Sequence, residues 1–235
     1  KMISNDLNLS YITAPSTLSN DAIYSPIARL VQKGKKQSFG VKAPLGIIAD
    51  IEIIRRSPRK LLLAGVGDLV SNASAVKDWK LANVENGEHI NNFALTLAAL
   101  SGNSVMSYSI DDISTDRFIG DLANGLVISG LAMVLANSSR PASGAEHLIS
   151  HAIDDLYPTR TTLHGLQVAW GHLLLERDYR QDHDDFEKLR TFFDRMKIIE
   201  EMEHDIHFSS DEIARITDRA KTIRDRYTIL TKIEL

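Results

Sequence analysis

The sequence predicts a short α/β segment at the amino terminus followed by an all-α helical bundle. Two observations carry this expectation. Up to about residue 54, apolar residues fall in short β-branched runs broken by Pro and small polar residues, whereas from Ser57 onward they recur at three- and four-residue intervals. At 235 residues and 43% hydrophobic, the chain is long enough for one large domain or two smaller ones. The two segments meet near Asp50–Arg59, with residues 1–56 on the α/β side and 57–235 on the helical side.

The elements follow in order. "KMISNDLNL" reads as the tail of a helix feeding a strand, with no charged leader or cleavage-like site behind it. We expect upstream sequence to be missing. "LSYITAP" (Leu9–Pro15) reads as a buried strand, and "STLSNDAIYSP" (Ser16–Pro26) has the composition of a capped loop. "IARLVQ", "KGKK" and "QSFGV" form a hairpin pattern with a basic, exposed tip. "PLGIIADIEII" (Pro44–Ile54) starts as another apolar strand. Pro58 is well placed in a first helical turn.

The helical pattern then runs through "INNFALTLAALSGNSV", "RFIGDLANGLVISGLAMVLAN", "EHLISHAIDDL" and "DDFEKLRTFFDRMKIIEEM". The last helix is clearest. Ser209 or Ser210 caps it, Asp211 and Glu212 fill its first turn, and Ile213, Ile216, Ala220, Ile223 and Tyr227 make one stripe. "GLVISGLAMVLA" (Gly125–Ala136) is too short and glycine-containing to span a bilayer, and reads as a buried helix.

Composition removes several function classes. Net charge is −4, from 27 basic and 31 acidic residues, with no basic stripe, so nothing points to a nucleic-acid backbone. The absence of cysteine excludes disulfides, thiolate zinc sites and cysteine nucleophiles, and suggests a reducing cytoplasm.

The chemistry-bearing candidates are few. His147 and His151 lie one helical turn apart after "SSRPASG", and fit metal ligands, a catalytic pair or two satisfied core histidines. His164 in "TTLHGLQ" is a further candidate, and Gly165 beside it permits a close backbone approach. Asp68 in "AGVGDLVSN" is a carboxylate in an apolar helix, costly unless paired or coordinated. The plainer reading makes Asp68 a helix cap and Gly65 and Gly67 helix breakers. "AGVGDL" is not a phosphate fingerprint. "SSRPASG" offers hydroxyls, Arg140 and a helix start as an anion cradle, with an ordinary capped helix as the rival.

Taken in order, "PSTLSNDAIYSP", "GVKAPLGIIADIEII", "LLLAGVGDLVSNASAVKDWKLA", "SSRPASGAEHLISHAIDDL", "LHGLQVAWG" and "RDRYTIL" closely resemble the glycerol-1-phosphate dehydrogenases. These belong with iron-containing alcohol dehydrogenases, glycerol dehydrogenases and 3-dehydroquinate synthases. The resemblance covers nearly the whole chain and implies a nucleotide-binding α/β domain, a helical domain and a metal in the cleft between them. By motif, Asp68, His147 and His164 correspond to the metal ligands, for zinc or alternatively nickel or iron. His151 and Asp21 then correspond to catalytic, substrate-contacting residues, with Asp68 also at the substrate. Ser16, Thr17, Leu18, Ser19 and Ser25 match the loop that contacts NAD(P).

Two departures stand out. Ser16 and Ala22 replace the family's threonine and glycine. The glycine-rich turn that holds the dinucleotide pyrophosphate falls, in the family pattern, just before Lys1, so the chain as it stands is expected to bind dinucleotide poorly. The implied substrate is a phosphorylated triose, dihydroxyacetone phosphate, with Arg140 and Lys42 as candidates for its phosphate. The implied partners are that small molecule and further copies of the chain, with no nucleic acid and no membrane span. The rival readings are a glycerol dehydrogenase, a dehydroquinate synthase-like cyclase, and a non-catalytic oligomerising module.

Overall fold

The computed structural model describes residues 1–32 and 35–232. Helix α1 (Met2–Asp6) leads into β1 (Ile12–Thr13). After a loop with a 3₁₀ turn at Asp21–Ile23, β2 (Ile27–Gln32) and β3 (Lys35–Gly40) pair antiparallel, Ile27 opposite Gly40. The hairpin is as expected, while the tip at residues 33–34 lies outside the described residues. β4 (Gly46–Ile47) pairs in parallel with β1.

Two expectations for this segment need correction. The strand expected over Leu9–Pro15 shrinks to two residues, and Leu9 and Ile12 are exposed, because a single two-residue neighbour gives them nothing to bury against. The strand expected over Pro44–Ile54 is likewise two residues, and Ile51–Arg55 forms helix α2. There the Asp50 carboxylate accepts from the Ile53 N–H and starts a helical turn. Ile3, Leu7, Leu45 and Ile48 are exposed as well, so large apolar side chains crowd the surface of this segment.

The helical part comprises α3 (Arg59–Val70), α4 (Asn72–Asn86), α5 (Asn92–Ser101), α6 (Asp116–Ala136), α7 (Ala145–Leu156) and α8 (His164–Leu174). A π-helical stretch at Leu175–Arg180 extends α8. Then come α9 (His183–Arg195), α10 (Ile198–Asp205), α11 (Ser210–Thr222) and α12 (Ile229–Lys232). Lys197, at φ +60°, breaks α9 from α10. Ser209 caps α11, one of the two serines the sequence offered, and forms a capping box with Glu212. The helix stops at Thr222, however, so Tyr227 leaves the stripe assigned to it.

Helix α6 is 21 residues, because it begins at Asp116 well before the apolar run. By length and composition it is long and apolar enough to cross a membrane, contrary to the expectation from Gly125–Ala136 alone. Over half of its apolar stretch is buried, with Phe118, Leu122 and Leu126 in the main core against Leu63, Val66 and Leu69 of α3. A second apolar cluster joins Leu148 and Ile149 of α7 to Ile216 of α11 and Leu230 of α12.

Close approach around α3 sets the site geometry. A Cβ on Gly165 would lie 1.9 Å from the Ala64 carbonyl oxygen, and one on Gly65 would lie 1.8 Å from that of Leu18. Gly65 and Gly67 both lie inside α3 and are not helix breakers. The missing side chains of Gly65 and Gly165 let α8 and the 16–26 loop press against α3, which brings His164, Asp21 and Asp68 together.

Candidate metal centre and active-site cavity

Asp68 is 3% exposed and lies in the last turn of α3, with Ser71 at the junction to α4, so it is no helix cap. Its two carboxylate oxygens are treated differently. Oδ2 accepts from the backbone N–H of Asp21 at 2.9 Å, whereas Oδ1 is buried without a hydrogen-bond partner. A buried carboxylate oxygen without a partner is costly, because it gives up its hydration and gains no donor in return. Facing that oxygen, Nε2 of His147 and Nε2 of His164 each stand 3.6 Å away.

The far side of each ring is held. Nδ1 of His147 is 3.0 Å from Glu146 Oε1, and Glu146 also accepts from the Gly144 N–H at 2.5 Å and the Ser74 hydroxyl at 2.7 Å. Nδ1 of His164 is 3.0 Å from Ser150 Oγ, whose own proton goes to Gln167 Oε1 at 2.7 Å. A carboxylate only accepts, and the single Ser150 proton is already used. The hydrogen-bond network therefore assigns the ring proton to Nδ1 in both histidines and turns the Nε2 lone pairs toward Asp68.

The three ligand atoms all lie within 4.8 Å of one another. Tetrahedral ligands at ~2.1 Å from an ion stand about 3.4 Å apart, so one carboxylate oxygen and two imidazole nitrogens at this spacing fit a divalent transition metal. The electrostatics agree. Burial opposes charge on His147, but Asp68 and Glu146 outweigh it and lift its pKa to about 9. Burial and the neighbouring His147 lower His164 to about 4. Burial would raise Asp68, but the facing His147 and His164 rings hold it below its ordinary value. The paired carboxylates thus favour one cation among the rings, a proton or a metal ion.

A cavity of about 210 Å³ opens beside this cluster, with Asp21, Ser25, His147, His151, His164 and Arg224 in its walls. That is below the ~300–1,000 Å³ of drug-sized sites and suits a small metabolite. His151 stays outside the ligand set, its ring stacked 6.2 Å from that of His164. Burial, then the nearby Arg29, keeps His151 well below its usual pKa and so neutral. Asp21 Oδ2 accepts from the Ser129 hydroxyl at 3.0 Å; burial and the charge of Asp68 raise this carboxyl to about 7.

Other sequence candidates fall elsewhere. Ser25 reaches the cavity wall, with its hydroxyl oxygen accepting from the Ile27 N–H at 3.2 Å. Ser16, Thr17, Leu18 and Ser19 do not line the cavity, and Leu18 is fully buried in the main core. Arg140 is buried and committed, with Nε 2.6 Å from Glu88 Oε1 and a second nitrogen donating to the Tyr227 carbonyl at 2.8 Å. Lys42 reaches Asn8. Neither candidate for the phosphate lines this cavity. The "SSRPASG" cradle is filled by the chain's own carboxylates: the Gly144 N–H goes to Glu146, and the Ala145 N–H to Asp78 Oδ2 at 2.7 Å.

A second acidic cluster, Glu176, Asp182 and Asp185, is neutralised internally. Lys77 Nζ lies 2.8, 3.3 and 2.6 Å from their respective oxygens and takes the place of a cation.

Glu146, Ser150 and Gln167 escaped sequence reasoning, although Glu146 precedes His147 and Ser150 precedes His151. Ser129, Arg29 and Arg224 come from distant segments and left no local signal.

Comparison with known proteins bears on this geometry. Residues 1–58 match the family model described as iron-containing alcohol dehydrogenase. The glycerol-1-phosphate dehydrogenase [NAD(P)+] of Methanococcus maripaludis strain C6 is 36% identical over 238 residues, spanning 98% of this chain and 70% of that protein. The chain belongs to the glycerol-1-phosphate dehydrogenase family. The family member from Archaeoglobus fulgidus is 43% identical over 177 residues, 75% of this chain and 50% of that protein. The chain thus spans half to seven-tenths of the length of these curated relatives.

Solved structures share the family's fold. A probable glycerol dehydrogenase from Sinorhizobium meliloti 1021 superposes with a TM-score of 0.77 at 18% identity, over 100% of this chain and 68% of that one. Glycerol dehydrogenase from Schizosaccharomyces pombe gives 0.72 at 21% identity, over 97% and 60%.

Proposed function

We propose that this chain carries the metal site of an NAD(P)-dependent oxidoreductase that interconverts dihydroxyacetone phosphate and sn-glycerol 1-phosphate. The observation that carries this is the unpartnered Asp68 Oδ1 facing two oriented Nε2 atoms at 3.6 Å, at the edge of a cavity of metabolite size. The higher identity to glycerol-1-phosphate dehydrogenases than to the solved glycerol dehydrogenases favours the phosphorylated substrate. We assign residues 57–235 to a helical metal-binding domain and residues 1–56 to the carboxy-terminal part of a nucleotide-binding α/β domain.

In this reading Asp68, His147 and His164 hold zinc, with nickel or iron as alternatives. A divalent ion there supplies Lewis acidity to the carbonyl oxygen, and a nicotinamide supplies the hydride. The protein's own groups do the rest. Glu146 and Ser150 keep both rings in the ligating tautomer. His151, neutral and at the cavity wall, hydrogen-bonds a substrate hydroxyl. Asp21, in the cavity wall beside Asp68, is placed to hydrogen-bond a substrate hydroxyl or exchange a proton with it, which suits general acid–base work. Ser16, Thr17, Ser19 and Ser25 contact the dinucleotide, and Leu18 does so through its backbone alone, since its side chain is buried. We further assign the enzyme to the cytoplasm as a homo-oligomer, as the family resemblance implies.

The test is calorimetric titration of the zinc-loaded protein with dihydroxyacetone phosphate, beside metal analysis of His164→Ala. Binding by the wild type, with zinc and binding both lost in the variant, supports the reading. Unchanged zinc content in the variant, or no binding by the wild type, overturns it.

A further inference from the structure

Arg224 follows α11 and is half-buried, yet among the described residues it makes no hydrogen bond and no ion pair. It lines the metal-side cavity and also an adjoining, larger cleft of about 640 Å³. Arg29 of β2 and His151 of α7 share both walls. The carboxylates of the outer cleft are already engaged. Asp154 lies 3.0 Å from Arg29, and Asp155 lies 2.7 Å from Arg219. Two residues beyond Arg224, Arg226 is spent on the Ser143 carbonyl and the Ser139 hydroxyl. The two guanidinium groups of Arg29 and Arg224 are close enough to repel one another. What remains is positive charge in the wall of a small cavity that His147 and His164 of the metal cluster also line.

A partly desolvated guanidinium without a partner calls for an anion, and its planar fork matches phosphate oxygens. We propose that Arg224, flanked by Arg29, binds the phosphate of the substrate, a small phosphomonoester whose ketone or alcohol end faces the metal cluster. This deepens the functional reading above and rests on it. An unphosphorylated polyol would leave the arginine's charge uncompensated and should bind less well.

The experiment titrates zinc-loaded wild type, Arg224→Gln and Arg224→Lys with dihydroxyacetone phosphate, inorganic phosphate, dihydroxyacetone and ADP-ribose, with bound zinc and melting temperature measured for each protein. Arg224→Gln should lose roughly 10- to 100-fold in affinity for dihydroxyacetone phosphate and for phosphate. Its zinc content and its response to dihydroxyacetone should stay as in the wild type. Arg224→Lys keeps the charge but not the fork and should fall between.

Equal affinity of variant and wild type for dihydroxyacetone phosphate, or an equal loss for dihydroxyacetone, overturns the assignment and leaves the proposed activity standing. A loss confined to ADP-ribose moves the arginine to the dinucleotide and also overturns it. If the wild type binds phosphate through Arg224 but not dihydroxyacetone phosphate, the anion site stands and the proposed activity falls. If the wild type binds neither, both fall.

Discussion

The backbone N–H of Asp21 donates to Oδ2 of Asp68 at 2.9 Å, and this one bond divides the labour of a buried carboxylate. It satisfies one oxygen from within the chain and leaves the other to two imidazoles. It also ties the loop that carries Asp21 to the helix that carries Asp68. The two acids therefore act on each other: the charge of Asp68 helps raise the Asp21 carboxyl to about 7.

Replacing Asp68 with Asn keeps the shape but removes the charge that faces both Nε2 atoms. Bound zinc should then fall to near background at equal free metal, because a neutral amide is a poor ligand for a divalent transition ion. Elemental analysis after dialysis against a weak chelator measures this. Stoichiometric zinc in Asp68→Asn would remove the ligand assignment.

Glu146→Gln and Ser150→Ala test the outer supports of the rings. Each leaves the three ligating atoms in place; Ser150→Ala removes the partner of the His164 Nδ1, and Glu146→Gln keeps an acceptor oxygen but removes the charge behind the His147 Nδ1. Metal affinity should drop by about 10- to 100-fold with the helical circular dichroism unchanged. Competition with a chromophoric chelator reads the difference, and unaltered affinity in both variants would show that ring orientation is set elsewhere.

Gly165→Ala puts a methyl group 1.9 Å from the Ala64 carbonyl, a backbone atom that cannot swing away. Helix α8 must shift off α3. A destabilisation of about 3 kcal/mol is expected, or roughly 6–12 °C in melting temperature for a chain of this size. The same shift moves His164 from Asp68, so zinc binding should weaken with it. Thermal melts with and without zinc would expose a tolerant site.

Acid stability should depend on Glu176. Burial opposes its ionisation, but His172, Arg180 and Lys77 outweigh it and hold the carboxyl at about 2, against an ordinary 4.5. A carboxyl whose folded pKa is depressed contributes stability above its unfolded pKa and loses it as pH falls toward the folded one. On the order of 3 kcal/mol should therefore disappear between about pH 4.5 and pH 2. Urea midpoints at pH 7, 4 and 3 should converge for wild type and Glu176→Gln as the pH drops. A constant gap across that range would show that Glu176 is not the group responsible.

Much of this molecule is legible in its residues one by one. Periodicity locates the helices because burying one face of a helix forces a 3.6-residue repeat, and the Ser209–Glu212 capping box is a purely local device. Asp68 inside an apolar run declares a need for a partner, since an unpaired buried acid is costly wherever the chain folds. The short strands were misjudged because strand length depends on neighbours that the local sequence does not specify: Leu9 and Ile12 are as apolar as core residues and still lie exposed.

Tertiary structure alone decided which partners those residues found. The 3.6 Å approach of His147 and His164 to one oxygen of Asp68 depends on glycines that let α8 and the Leu18 loop touch α3, a property of facing backbones. It likewise left Arg224 without a partner among the described residues, while the two cleft carboxylates, Asp154 and Asp155, pair with Arg29 and Arg219. Residue type sets what each group requires, and only packing across long sequence separations sets what is within reach.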